Sequence, residues 1–122
     1  MIEAIDVVFV HSQKGEQLAA WYAETLELPL EVVAPDWREL KTKEGARFAV
    51  DCTSFPRSTI EKQPIVISFK VSDIKAAVAK LETKGVTFYE GESGKIMDVG
   101  PTLVATFCDP DGNWLQLSQR KG

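Results

Sequence analysis

Trp114, Gln116 and Ser118 alternate with Leu115 and Leu117 near the end of this chain, a spacing that sends an indole, an amide and a hydroxyl to one face of a strand. Such a face can stack on an organic ligand and hydrogen-bond to it. It cannot abstract a proton, because an amide does not titrate near neutral pH. Groups suited to harder chemistry are few. The only histidine, His11, stands at the polar end of an apolar run and reads as a solvated loop residue rather than a metal ligand. Cys52 and Cys108 lie in apolar, strand-like runs with no basic neighbour in sequence, so they read as small buried hydrophobes and not as nucleophiles.

The same alternation in other short runs extends the candidate face. Ile65, Ile67, Phe69 and Val71 should pack inward, which leaves Val66, Ser68 and Lys70 on the open side. Phe48 and Val50 read as core, with Arg47, Ala49 and Asp51 opposite them. Glu39 and Lys41 likewise stand opposite Leu40, and Asp6 precedes the first strand's apolar centre. Lys70 and Arg47 could hold a ligand carboxylate, or pair instead with Asp51 or Glu39. Trp37 and Trp114 are the aromatic candidates, suited to stacking on a planar or cationic ligand or to a seam between subunits.

These side chains must be positioned by a repeated order of elements. Residues 5–10 are β-branched and short, a predicted strand, and they lead through a polar loop into a helix over 16–26 whose Leu18, Trp21, Tyr22 and Leu26 form one stripe. Pro29 bars its continuation. Strands are predicted over 30–33, 38–42 and 47–52, separated by the turn residues Pro35-Asp36 and Glu44-Gly45. After a proline-containing linker at 55–64 the order repeats, with a strand over 65–71 and a helix capped by Ser72 or Asp73 and stopped by Gly85. Its apolar stripe is Ile74, Ala77, Val78 and Leu81. Strands over 86–89, 102–107 and 114–118 follow, while 95–98 could be loop or strand extension. The fold class is α+β, a single domain of two tandem βαβββ modules, at about 1–54 and 65–122.

The most specific local signal is Phe107-Cys108-Asp109-Pro110-Asp111-Gly112-Asn113-Trp114-Leu115-Gln116-Leu117, a tight turn followed by an alternating strand. Together with Val71-Ser72-Asp73-Ile74 opening the second helix and Ala20-Trp21-Tyr22-Ala23-Glu24-Thr25-Leu26 in the first, it resembles the vicinal-oxygen-chelate superfamily, which includes glyoxalases, bleomycin-resistance proteins and extradiol dioxygenases. That resemblance spans essentially the whole chain and implies curved mixed sheets around a cleft, helices on the outer face, and a homodimer. Glu27 stands where the family usually has glycine, which bears on the tightness of the first helix-to-strand turn. In metal-dependent relatives the ligands are His, Glu or Gln, and the matching positions here are Gln116, Val66 and one of Ala4, Ile5 or Asp6. A valine cannot donate to a metal, and Gln116 with Asp6 makes too few ligands for a catalytic site. The resemblance therefore implies a glyoxalase- or bleomycin-resistance-like protein with no cofactor, one that binds, sequesters or carries a small molecule. Its alternative is a lyase, isomerase or dioxygenase whose divalent metal is held by other residues, and an accessory domain with no ligand is a third reading.

Composition narrows the partners. The net charge of -4 over 122 residues argues against a nucleic-acid backbone as ligand. No apolar run is long enough for a membrane span, and the first residues lack the basic and small-residue pattern of a signal peptide, so a cytoplasmic protein is expected.

Overall fold

In the computed structural model, which describes residues 1, 3, 5–52 and 65–122, the chain divides into two compact units, Met1–Thr59 and Ile60–Gly122. The expected linker falls outside the described residues. The first unit runs β1 (Val8–His11), α1 (Gly15–Thr25), β2 (Leu30–Ala34), β3 (Trp37–Lys41) and β4 (Arg47–Asp51). Its sheet has the order β1-β4-β3-β2, with β1 parallel to β4 and the other pairs antiparallel. The β, α, β, β, β order matches expectation, although β1 begins later than predicted and takes in His11.

One side of this sheet is closed by α1. Leu18, Ala19 and Tyr22 recur at helical spacing and are buried, and so are Leu40, Phe48 and Val50 on the strands beneath them. Tyr22 meets Phe48 edge-on, with ring centroids 4.9 Å apart. Ala49 departs from expectation. Placed by alternation on the open face, it is nonetheless 0% exposed. It sits mid-strand on β4 between its register partners Phe9 and Glu39 on the two neighbouring strands.

The end of α1 shows how the chain manages without the family's glycine. Leu26 caps the helix and donates its N–H to the Tyr22 carbonyl, and Glu27 then takes φ +60°, the only non-glycine among the described residues in the left-handed region. Glycine enters that region without a Cβ penalty, whereas glutamate is strained there by about 1 kcal/mol. Glu27→Gly is accordingly expected to stabilise the protein by about 1 kcal/mol and raise the melting temperature by about 3 °C. Thermal unfolding checks this, and a lowered midpoint contradicts it.

The second unit repeats the plan with β5 (Ile67–Lys70), α2 (Ile74–Thr83), β6 (Met97–Asp98), β7 (Thr102–Cys108) and β8 (Trp114–Arg120). Here the sheet order is β5-β8-β7-β6, again with one parallel pair, β5 and β8. Two expectations need correction. Residues 86–89 do not form a strand: Phe88 makes an isolated bridge to Phe107, and the edge of the sheet is β6, in the stretch read as loop or strand extension. The alternation of Val86 and Phe88 reports burial, at 9% and 4% exposure, rather than a ladder. Ile65, expected to pack inward, precedes β5 and is exposed.

Asp73 is the N-cap of α2, its carboxylate accepting from the Ala76 N–H at 3.1 Å, while Gln119 on β8 accepts from the Ile74 N–H at 2.8 Å. Beyond the Lys84 cap, Gly85 takes φ +91° and ends the helix as its type predicts. Ile74, Val78 and Leu81 are buried on the side of the sheet that carries Ala105, Phe107, Leu115 and Leu117. The β7–β8 turn is organised around a buried carboxylate. Asp109 Oδ1 accepts from the N–H groups of Asp111 and Asn113, both at 2.9 Å, and Oδ2 accepts from the Asn113 side-chain amide at 2.7 Å. What sequence alone presents as a common turn is thus a satisfied polar knot that sets where β8 begins.

Candidate functional site

Register partners on neighbouring strands project to the same face, so the ladders of the second unit define what its helix-free face carries. One row runs Ser68, Gln116, Thr106 across β5, β8 and β7; the next runs Lys70, Ser118, Val104; and Trp114 pairs with Cys108 at the turn end. Trp114, Gln116, Ser118, Ser68 and Lys70, all expected to share a face, are therefore brought together, opposite the buried Leu115 and Leu117. Trp114 is 42% exposed, and Gln116 and Ser118 are half-buried. Among the described residues, the side chains of Ser68, Gln116 and Thr106 make no hydrogen bond. An amide flanked by two hydroxyls, none of them satisfied among the described residues, leaves donors and acceptors for something else.

The helix-free face of the first unit is charged and aromatic. Arg47, Asp51 and Asp6 all contribute to it, but in pairings that span long stretches of sequence. Arg47 donates from Nε to Glu39 Oε1 at 2.8 Å and from Nη2 to Glu39 Oε2 at 3.1 Å, and its Nη1 donates to Asp6 Oδ2 at 3.0 Å. Trp37 Nε1 donates to the same Glu39 carboxylate at 3.2 Å. These hydrogen bonds, from Arg47 first and Trp37 second, hold the Glu39 carboxyl below the usual carboxylate range. Phe9 lies against Trp37 with ring centroids 5.3 Å apart. Asp51 pairs with His11 instead of Arg47, Nδ1 to Oδ2 at 3.4 Å, and the two side chains are only 20% and 22% exposed. His11 is therefore a strand residue on the sheet face and not the solvated loop group its position suggested.

Sequence reasoning overlooked Phe9 and misplaced His11. The missing signal was register: β1 is shifted towards the C-terminus by one residue from its predicted end, and the partner of His11 lies in β4.

Among the described residues no three His, Cys, Asp or Glu side chains come together so as to hold an ion. Val66 offers no donor, Ile5 is an exposed hydrocarbon, and Asp6 is engaged by Arg47; Ala4 lies outside the described residues. Nucleophilic chemistry is disfavoured as well, since burial pushes both the Cys52 and Cys108 thiols up and away from thiolate. A cavity of about 300 Å³ opens at the start of α1, bordered by residues 13–17, Pro35 and Cys52, and contains none of the expected site residues.

The sequence profile of the Glyoxalase/Bleomycin resistance protein/Dioxygenase superfamily matches residues 4–117. The chain belongs to that superfamily. Among solved structures, this superfamily member is similar to TnmS3, an antibiotic binding protein from Streptomyces sp. CB03234, at 23% identity and a TM-score of 0.78, with 98% of each chain covered. It is also similar to the oxidase ChaP-H2, at 19% identity and a TM-score of 0.73, covering 98% of this chain and 95% of that one. A glyoxalase/bleomycin resistance protein/dioxygenase from Nocardioides matches at 14% identity and a TM-score of 0.76, covering 98% and 85%. A search of curated proteins gives no significant match. At these identities the likeness is one of fold, and the chemistry must be argued from the faces themselves.

Proposed function

We propose that this glyoxalase/bleomycin-resistance superfamily member is a metal-independent binding protein for a small organic molecule, which it sequesters or carries in the cytoplasm as a homodimer. The observation that carries this reading is the row Ser68, Gln116, Thr106, three neutral polar side chains with no partner among the described residues, beside the exposed indole of Trp114. A ligand with a flat apolar body and both carbonyl and hydroxyl groups on its edge satisfies all of them at once. The amide orients such a ligand by donating and accepting, without exchanging a proton with it. That an antibiotic binding protein shares the fold supports the same class of task. Pairing of subunits is supported by the apolar side chains of Leu30, Val32 and Val33, exposed on the edge strand β2. An enzymatic reading, for which the fold likeness to an oxidase is the precedent, would require three metal donors that the described residues do not bring together.

The test is calorimetric titration of a planar hydroxy-carbonyl compound such as 3-hydroxyflavone. Gln116→Leu is expected to weaken its binding by about tenfold, the loss typical of one buried hydrogen bond left unmade, while the melting temperature stays within a few degrees of the parent. A large loss of thermal stability with unchanged affinity would place Gln116 in a structural role and remove the basis of this reading.

A further inference from the structure

Arg47 is held in an unusual way for a half-exposed arginine. Its Nε/Nη2 edge is fully used by Glu39, whose side chain is only 12% exposed and is itself fixed by the Trp37 indole. A guanidinium clamped along one edge cannot swing freely, so its second edge, Nη1 with Nη2, is held in a set orientation. The group met there is Asp6, through a single oxygen at 3.0 Å. Asp6 lies outside β1, and its side chain is 85% exposed. Lys41 is the register partner of Arg47 on β3, so a second cation stands on the same face, and Lys41 has no ion pair among the described residues. Phe9, whose register partner is Ala49, lies two residues further along the same face, about 7 Å from the Arg47 row, and it presents with Trp37 a tilted aromatic pair.

We propose that Asp6 stands in for a ligand carboxylate, and that this face binds small aromatic carboxylates: the carboxylate displaces Asp6 from Arg47, with Lys41 as a second cation, and the ring lies on Phe9 and Trp37. The inference rests on the reading of this chain as a small-molecule-binding protein and gives one class of ligand for it. Exchange is close to neutral in charge, because one carboxylate leaves Arg47 as another arrives. It gains geometry, since a free carboxylate can span both Nη1 and Nη2 where Asp6 reaches only Nη1. Little is lost in return, because an ion pair as exposed as this one contributes weakly to stability.

The probes are 2-naphthoate and its neutral analogue 2-naphthylmethanol, titrated calorimetrically into the full chain. Asp6→Asn, a change at an exposed position outside the sheet, should tighten 2-naphthoate about fivefold, the worth of one surface pair, and leave 2-naphthylmethanol unaffected. Arg47→Gln and Lys41→Gln should each weaken the carboxylate. The proposal is overturned if Asp6→Asn leaves 2-naphthoate affinity unchanged or lowers it, if the neutral analogue responds equally, or if neither parent nor variant binds 2-naphthoate. Should 3-hydroxyflavone still bind through Gln116 while 2-naphthoate does not, the carboxylate inference alone falls. Should neither bind, the binding reading falls with it.

Discussion

Asp109→Ala is expected to lower stability by about 3 kcal/mol, measured as a shift in the urea midpoint at unchanged slope. Asp109 is 4% exposed, and its carboxylate receives the N–H groups of Asp111 and Asn113 and the Asn113 side-chain amide, itself a buried residue. Alanine removes the acceptor and leaves those donors facing one another without water to replace it. Asn113→Ala deletes only one of the donors and should cost about 1 kcal/mol, so the pair of variants separates the worth of the carboxylate from that of its amide partner. A loss below about 1 kcal/mol for Asp109→Ala would mean that solvent reaches the turn and that the knot is ornamental. Because the turn sets the Cys108–Trp114 pairing from which β8 starts, its loosening should also blur the position of Gln116.

At Gly15 two effects of opposite sign compete, and magnitudes decide between them. Helix propensity alone favours Gly15→Ala by about 1 kcal/mol, since Gly15 opens α1. Packing opposes it more strongly. A Cβ there would stand 2.5 Å from Cys52 Sγ and 2.7 Å from both Cys52 Cα and Cys52 Cβ. No rotamer change moves a backbone Cα, so the helix or the chain just after β4 must shift, and the net effect expected is a loss of about 2 kcal/mol or more. Cys52→Ala in the same chain removes the sulfur but neither of the other atoms, so it should recover less than half of that loss. Thermal unfolding of the single and double variants decides; a neutral or stabilising Gly15→Ala would show that the contact yields freely.

The parts of this architecture legible in sequence are those encoded locally. The alternation of Trp114, Gln116 and Ser118 with Leu115 and Leu117 has a period of two, and the structure distributes them to opposite faces accordingly. Asp73 and Gly85 mark the ends of α2 because each carries its own capping chemistry. Alternation misleads where burial arises without a ladder, as at Val86 and Phe88, and where a small side chain is buried on the face expected to be open, as at Ala49. The pairing of His11 with Asp51 and the fork of Arg47 on Glu39 and Asp6 depend on cross-strand register, and Asp6 lies 41 positions from Arg47. Nothing in a local window specifies such a meeting. Glu27 shows the converse, a residue whose type argues against the backbone conformation it adopts.

In each sheet, one of the two central strands comes after both of its neighbours in the chain: β4 enters between β1 and β3, and β8 between β5 and β7. Half of each insertion is a hairpin between adjacent strands, quick to close. The other half is a parallel pairing that joins Val8 to Phe48 and Ile67 to Leu115, and it carries the entropy of a long loop. Folding of either unit is therefore expected to be paced by a late docking step, and until it happens the side chains on the helix-free faces of β4 and β8 lack one of their neighbouring strands.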